Sequence, residues 1–164
     1  PPTVPPAVVI AAPHPSTRDG VWALTHTGAV TLDVKVFAKA SLFWFPLSTL
    51  LRGLGGIPLD RSQAGSAVRQ AVSMFEERDH FYFGLAPEGT RSLKKGWKTG
   101  FHRIASAARV PVYFGVIDYV EKRIGITGRM DPSDDIEADL KKCADFYAET
   151  TGRHPDKTSP IRFL

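Results

Sequence analysis

The sequence predicts an α/β fold in a single domain. Short apolar runs of strand type alternate along the chain with stretches of helical periodicity. The length, 164 residues, fits one domain of ordinary size. The composition, 43% hydrophobic and 23% charged, is that of a globular protein and excludes a disordered or collagen-like chain.

Each element has a local reason. Val8 to Ala12 is a continuous apolar run closed by Pro13, the pattern of a strand buried on both faces. Asp19 offers an N-cap for a helix opening at Gly20. Val34, Val36 and Ala38 alternate with Lys35, Phe37 and Lys39 as a second strand. The apolar stretch Leu42 to Leu54 is broken by Pro46, so a helix is expected to start near that proline and to stop at Gly53 or Gly55. Ile57 to Leu59 reads as a short extended piece. Ala64, Val68, Ala71, Val72 and Phe75 recur at helical spacing and predict an amphipathic helix over roughly 63–78. Phe81 to Ala86 reads as a strand, and Phe101, Ile104, Ala105 and Ala108 mark a helix after Gly96. Val112 to Ile117 is another buried strand, with a shorter one over Arg123 to Thr127. Ile136, Leu140, Cys143 and Tyr147 give a last helix, started at Pro132-Ser133, with acids in its first turn and Gly152 as its stop. The domain is expected to fill residues 1–164, with a loosely held polar tail over 153–164.

The charge sum, 21 basic against 17 acidic residues, gives +4 and favours anionic partners. Its arginines sit in turn motifs and do not form a basic stripe, which argues against nucleic acid as the partner. The single cysteine, Cys143, excludes an internal disulfide and a multi-cysteine zinc site, and fits a reducing compartment. His26, His80, His102 and His154 show no metal-ligand spacing, so no metal is expected. No run of about 18 apolar residues points to a spanning helix. The start at Pro1 carries no basic region ahead of its apolar run, so no signal peptide is visible.

In open α/β sheets ligands gather beyond the carboxyl ends of the strands, so the polar clusters that follow strands deserve weight. The first is His14 to Asp19. In a tight loop, Asp19 can hold one imidazole nitrogen of His14 and leave the other free as a base. The same residues also fit a surface loop with Asp19 as an N-cap. No Gly-x-Ser-x-Gly appears and Cys143 falls on a helix core stripe, so such a base acts on a substrate hydroxyl. The second cluster is Pro87-Glu88-Gly89-Thr90-Arg91-Ser92. Gly89 permits close approach of an anion, Arg91 can grip a phosphate through two parallel hydrogen bonds, and Thr90 adds a donor. Glu88 suits orienting Arg91 or the backbone better than touching an anion. A charged turn is the plainer alternative. The third cluster, Gly55 to Arg61, brings a further arginine after a short extended piece, or is a turn with a local Asp60–Arg61 pair.

Taken together and in this order, the clusters resemble the glycerolipid acyltransferase superfamily, and within it the 1-acylglycerol-3-phosphate (lysophosphatidic acid) acyltransferase group in a short bacterial branch. His14 and Asp19 match its His-x4-Asp motif. Gly56, Ile57, Asp60 and Arg61 match the second motif, Pro87 to Ser92 match Pro-Glu-Gly-Thr-Arg-Ser in full, and Val110-Pro111-Val112 matches the fourth. Lys39 resembles a family lysine between the first two motifs. Arg18 departs from a common aromatic, Phe114 from a common second proline, and the anchoring helices of longer relatives have no counterpart in this sequence.

The resemblance implies a mixed, mostly parallel central sheet flanked by helices, as in glycerol-3-phosphate acyltransferase. It also implies acyl transfer from acyl-coenzyme A or acyl-carrier protein, as co-substrate and with no cofactor, to the hydroxyl of a lysophospholipid, with 1-acylglycerol-3-phosphate giving phosphatidic acid. In it His14 is the general base and Asp19 its orienter, while Lys39, Arg61, Glu88, Gly89, Thr90 and Arg91 bind the acceptor phosphate. Acyl transfer to another lysolipid or polar-lipid hydroxyl is the alternative within enzymes. A non-catalytic module that binds acidic lipid, with no need of His14, is the alternative outside them. The expected location is peripheral, at the cytoplasmic face of a membrane. The stretch Leu42 to Leu47 fits either insertion at a bilayer surface or a packed core segment.

Overall fold

The computed structural model describes residues 5–12, 34–59, 65–78, 80–88, 95–118, 120–121, 123–148, 150 and 160–162. Its strands are β1 (Ala7–Ala12), β2 (Val34–Lys39), β3 (Gly56–Leu59), β4 (Tyr82–Leu85), β5 (Val112–Asp118) and β6 (Arg123–Met130). The α-helices among the described residues are α1 (Leu47–Gly53), α2 (Ser66–Glu77), α3 (Gly100–Ala108) and α4 (Ile136–Tyr147), and a single 3-10 turn, Ala40–Leu42, follows β2. The strands form one six-stranded sheet in the order β3-β2-β4-β1-β5-β6. All neighbours pair in parallel except β5 and β6. The fold is therefore the expected α/β arrangement, a mixed and mostly parallel sheet flanked by helices.

The unbroken apolar run of β1 follows from its central place. Val8, Ile10 and Ala12 point into the main core with Phe83, Val112, Phe114 and Val116. Ala7 and Val9 point to the opposite face, beside Tyr82, Val34 and Tyr113. Helices α2, α3 and α4 cover the main-core face through Ala71 and Met74, through Phe101, Ile104 and Ala105, and through Leu140, Cys143 and Tyr147. Trp97, Phe83 and Phe101 are its largest closed-off side chains. Each contributes about 1.5–3 kcal/mol by leaving water. The Tyr147 hydroxyl reaches through this layer to the carbonyls of Ile10 (3.2 Å) and Gly115 (3.0 Å), pinning α4 across β1 and β5.

Several boundaries differ from expectation, among them the end of the last helix, which closes at Tyr147 with an Ala148 cap, well before Gly152. Strand β6 runs on to Met130, past Thr127, because β5 pairs with it as far as Val112, across a register shift at Phe114/Gly115. The last helix starts at Ile136, after an Asp135 cap whose carboxylate accepts from the Ala138 amide at 2.9 Å. Ser133 does not start it, because the Ser133 amide is committed to Asp139 at 2.6 Å. Helix α2 starts after Gly65, which sits at φ +74°. At the chain end, expected to be loosely held, Ile161 packs against the core and the Arg162 Nε donates to the Lys95 carbonyl at 2.7 Å.

Candidate active site

Parallel pairing sets five strands with their carboxyl ends on one edge. The register keeps those ends level. Ile10 pairs with Leu85 and Ala12 with Val116, while Val36 pairs with Gly84 and Lys39 with Leu59. The three motif segments continue from these ends: the His14 segment from β1, the Arg61 segment from β3 and the Glu88 to Arg91 segment from β4. Strands β1 and β4 are neighbours, and the chain leaves them in opposite directions, from β1 towards β2 and from β4 towards β5. Such a switch point opens the crevice where α/β sheets bind ligands.

Of the expected site residues, Lys39 and Glu88 fall within the described part. His14, Asp19, Arg61, Gly89, Thr90 and Arg91 lie outside it. Lys39 closes β2 with an exposed side chain at the carboxyl edge. Glu88, in contrast, is fully buried just past β4. Burying a carboxyl is costly unless neighbours satisfy it.

The flanks of the third motif are held on both sides. The Lys98 amide donates to the Pro87 carbonyl at 2.8 Å, and the Trp97 amide donates to the Arg162 carbonyl at 2.7 Å. Trp97 itself is 1% exposed and packs edge-on against Tyr147, with ring centres 5.8 Å apart.

The two glycines that open the Gly55 to Arg61 cluster have a steric reason. Gly55 sits at φ +82°, and a Cβ there would collide with the Val34 carbonyl. A Cβ on Gly56 would come within 2.7 Å of the Leu51 carbonyl oxygen. Glycine is thus what lets α1 turn directly into β3 and deliver Leu59 beside Lys39.

Two further features bear on the chemistry. Cys143 is buried, and that burial pushes its thiol up to about 12, so it offers no thiolate nucleophile. A second His–Asp pair lies between α3 and α4, where His102 Nε2 donates to Asp139 Oδ2 at 3.0 Å. Asp139 also accepts from the Ser133 amide at 2.6 Å and from Lys142 Nζ at 2.7 Å. Burial alone would raise the Asp139 carboxyl, but the bonds from Lys142, Ser133 and His102 outweigh it and bring it down to about 2. With both carboxylate oxygens engaged and Asp139 closed off from solvent, this pair links two helices. Its signal was present in the sequence: Asp139 falls three residues after Ile136 and four before Cys143, on the core-facing stripe of α4. An acid on that stripe demands partners.

A protein-family model described as acyltransferase matches residues 2–117. The chain belongs to the acyltransferase family. The match runs from before β1 to the last residue but one of β5, so it takes in the parallel strands and all the motif segments of this acyltransferase. The family is the superfamily to which the four ordered motifs point. No curated protein and no solved structure matches the chain significantly. Among the described residues of the acyltransferase, no cluster of His, Cys, Asp and Glu gathers at metal-binding distance.

Proposed function

We propose that this acyltransferase moves a fatty acyl group from acyl-coenzyme A or acyl-carrier protein to the free hydroxyl of a lysophospholipid, with 1-acylglycerol-3-phosphate as acceptor and phosphatidic acid as product. The observation that supports it most is the switch point. The strands that lead into the His14 segment and the Arg91 segment are adjacent, parallel and level at their carboxyl ends.

In this reading His14, oriented by Asp19, takes the proton of the acceptor hydroxyl. The hydroxyl oxygen attacks the thioester carbonyl and forms the new C–O bond. Collapse of the tetrahedral intermediate breaks the C–S bond, and the departing thiolate receives the proton from His14. Lys39, Arg61 and Arg91 hold the acceptor phosphate, with the Gly89 amide and the Thr90 hydroxyl as further donors and Glu88 keeping the segment in shape. Fixing the phosphate positions the hydroxyl for attack and makes the encounter effectively intramolecular.

A mass-spectrometric screen of lysolipid acceptors with both thioester donors tests the reading. Acylation of 1-acylglycerol-3-phosphate is expected to exceed that of acceptors lacking the phosphate. His14→Ala is expected to lower turnover by roughly 10²–10⁴-fold while lipid binding persists. Full turnover in that variant, or indifference to the acceptor phosphate, overturns the proposal.

A further inference from the structure

Among the described residues, exposed large hydrophobic side chains gather in the segment between β2 and β3, with Val120 and Ile126 as the others. Leu42 is 43% exposed, Trp44 58%, Phe45 84%, Leu50 59% and Leu54 42%. These side chains do not belong to the core, which disposes of the packed-segment reading of Leu42 to Leu47. Leu50 and Leu54 are four residues apart and share the outer side of the α1 turn, while Leu47 and Leu51 are partly buried. A short helix that is apolar inside and outside is suited to two apolar surroundings at once.

The charge pattern says what the outer surroundings are. Residues 34–59 carry Lys35, Lys39 and Arg52 and no Asp or Glu. Arg52 leans over the Phe43 ring, 5.5 Å from its centre, at the rim of the apolar side chains. Exposed aromatics beside a cation, in a segment without acids, complement an apolar layer under an anionic surface. A protein partner would need acids of its own to meet the same cations, and its surface would not need to admit a side chain standing out as far as Phe45. The segment also has the right place. The 3-10 turn follows Lys39 directly, and both it and α1 pack on β3, beside the carboxyl edge. Among the described residues no helix is long and apolar enough to cross a membrane.

We propose that residues 42–54 dock the protein on an anionic lipid bilayer, with Trp44, Phe45, Leu50 and Leu54 entering the headgroup–acyl boundary and Arg52 pairing with lipid phosphate. Docked this way, the β2–β3 end of the carboxyl edge faces the bilayer, so a lipid acceptor reaches it without leaving the membrane fully. The docking is independent of which hydroxyl is acylated.

Flotation with vesicles of phosphatidylcholine alone, and of equal parts phosphatidylcholine and phosphatidylglycerol, tests it. The wild type is expected to float with the anionic vesicles and to bind them far better than the neutral ones. Replacing Trp44 and Phe45 together by Ser removes two inserting side chains and weakens partitioning by about 100-fold or more. Arg52→Gln weakens it about fivefold. Brominated lipid is expected to quench the wild-type tryptophan emission, and the quenching to disappear in Trp44→Phe. Activity on a soluble short-chain acceptor separates docking from catalysis, because the Trp44/Phe45 double variant should keep it while losing activity on vesicle-borne acceptor. Unchanged partitioning of the double variant, or wild-type emission indifferent to brominated lipid, overturns the proposal. So does a lipid-free dimer abolished by the double substitution, which would make the patch an interface between two copies.

Discussion

Asp139 shows how one buried acid can govern a local structure without taking part in chemistry. Its oxygens receive His102 from α3, the Ser133 amide from the β6–α4 connection and Lys142 from its own helix. Removing the carboxylate leaves buried donors with nothing to meet, which costs more than the bonds themselves are worth. Asp139→Ala is expected to destabilise the protein by about 2–4 kcal/mol in urea unfolding. The pH dependence has a definite sign. The carboxyl ordinarily titrates at 3.8 and in the fold is held at about 2. The folded pKa is the lower one, so this stabilisation is complete above about 4 and fades as the pH falls through about 2. Thermal melts from pH 5 downwards should therefore lose less stability in Asp139→Ala than in the wild type. An equal acid sensitivity in the two proteins would show that other carboxyls carry the effect.

At the scale of elements, the end of α3 is the feature that local sequence rules do not reveal. The Val110 amide bonds back to the Ala105 carbonyl at 3.0 Å and the Arg109 amide to Ser106 at 3.3 Å, closing the helix with a Schellman motif. The left-handed position that normally takes glycine is held by Arg109 at φ +55°. A side chain there strains the backbone, and the burial of Val110, 7% exposed, offsets it. Arg109→Gly relieves the strain and is expected to raise stability by about 1 kcal/mol, read as a higher denaturant midpoint at unchanged slope. Elements with strong local signals were legible from sequence. Strand β1 announced itself by an unbroken apolar run, β2 by alternation, and α1 by Pro46 and Gly53. Boundaries set by particular partners were not. Strand β6 is long because β5 lies beside it, a partner distant in sequence. Helix α4 starts late because the Ser133 amide is drawn to Asp139, a partner only six residues away, through a side-chain bond that periodicity does not show.

For the molecule as a whole, the parallel strands that precede the separate motifs end on a single edge. The sequence showed that each cluster follows a strand, and the residue types pointed to anion binding and a base. It did not show that β4 inserts between β1 and β2, which makes the strands that lead into the first and third motifs neighbours. Nor did it show which acid would be buried, since Glu88 reads as part of a charged motif and ends without solvent exposure. The edge also makes position matter more than charge. Lys39 and Arg129 are both exposed cations, but Lys39 lies at the carboxyl end of the parallel sheet, whereas Arg129 pairs with Tyr113 near the amino end of β5 and holds Asp131 at 2.8 Å. Replacing either by Ala removes one positive charge from the same protein. A diffuse electrostatic attraction of the proposed phosphorylated acceptor would weaken equally in the two variants. A phosphate seated at the carboxyl edge would not respond in that way. Lys39→Ala is expected to raise KM for the acceptor about tenfold, the loss of one charged hydrogen bond, with KM for the thioester donor unchanged. Arg129→Ala should leave both values where they are. Steady-state kinetics on a soluble short-chain acceptor keeps membrane docking out of the comparison, and equal shifts in the two variants would remove Lys39 from the acceptor site.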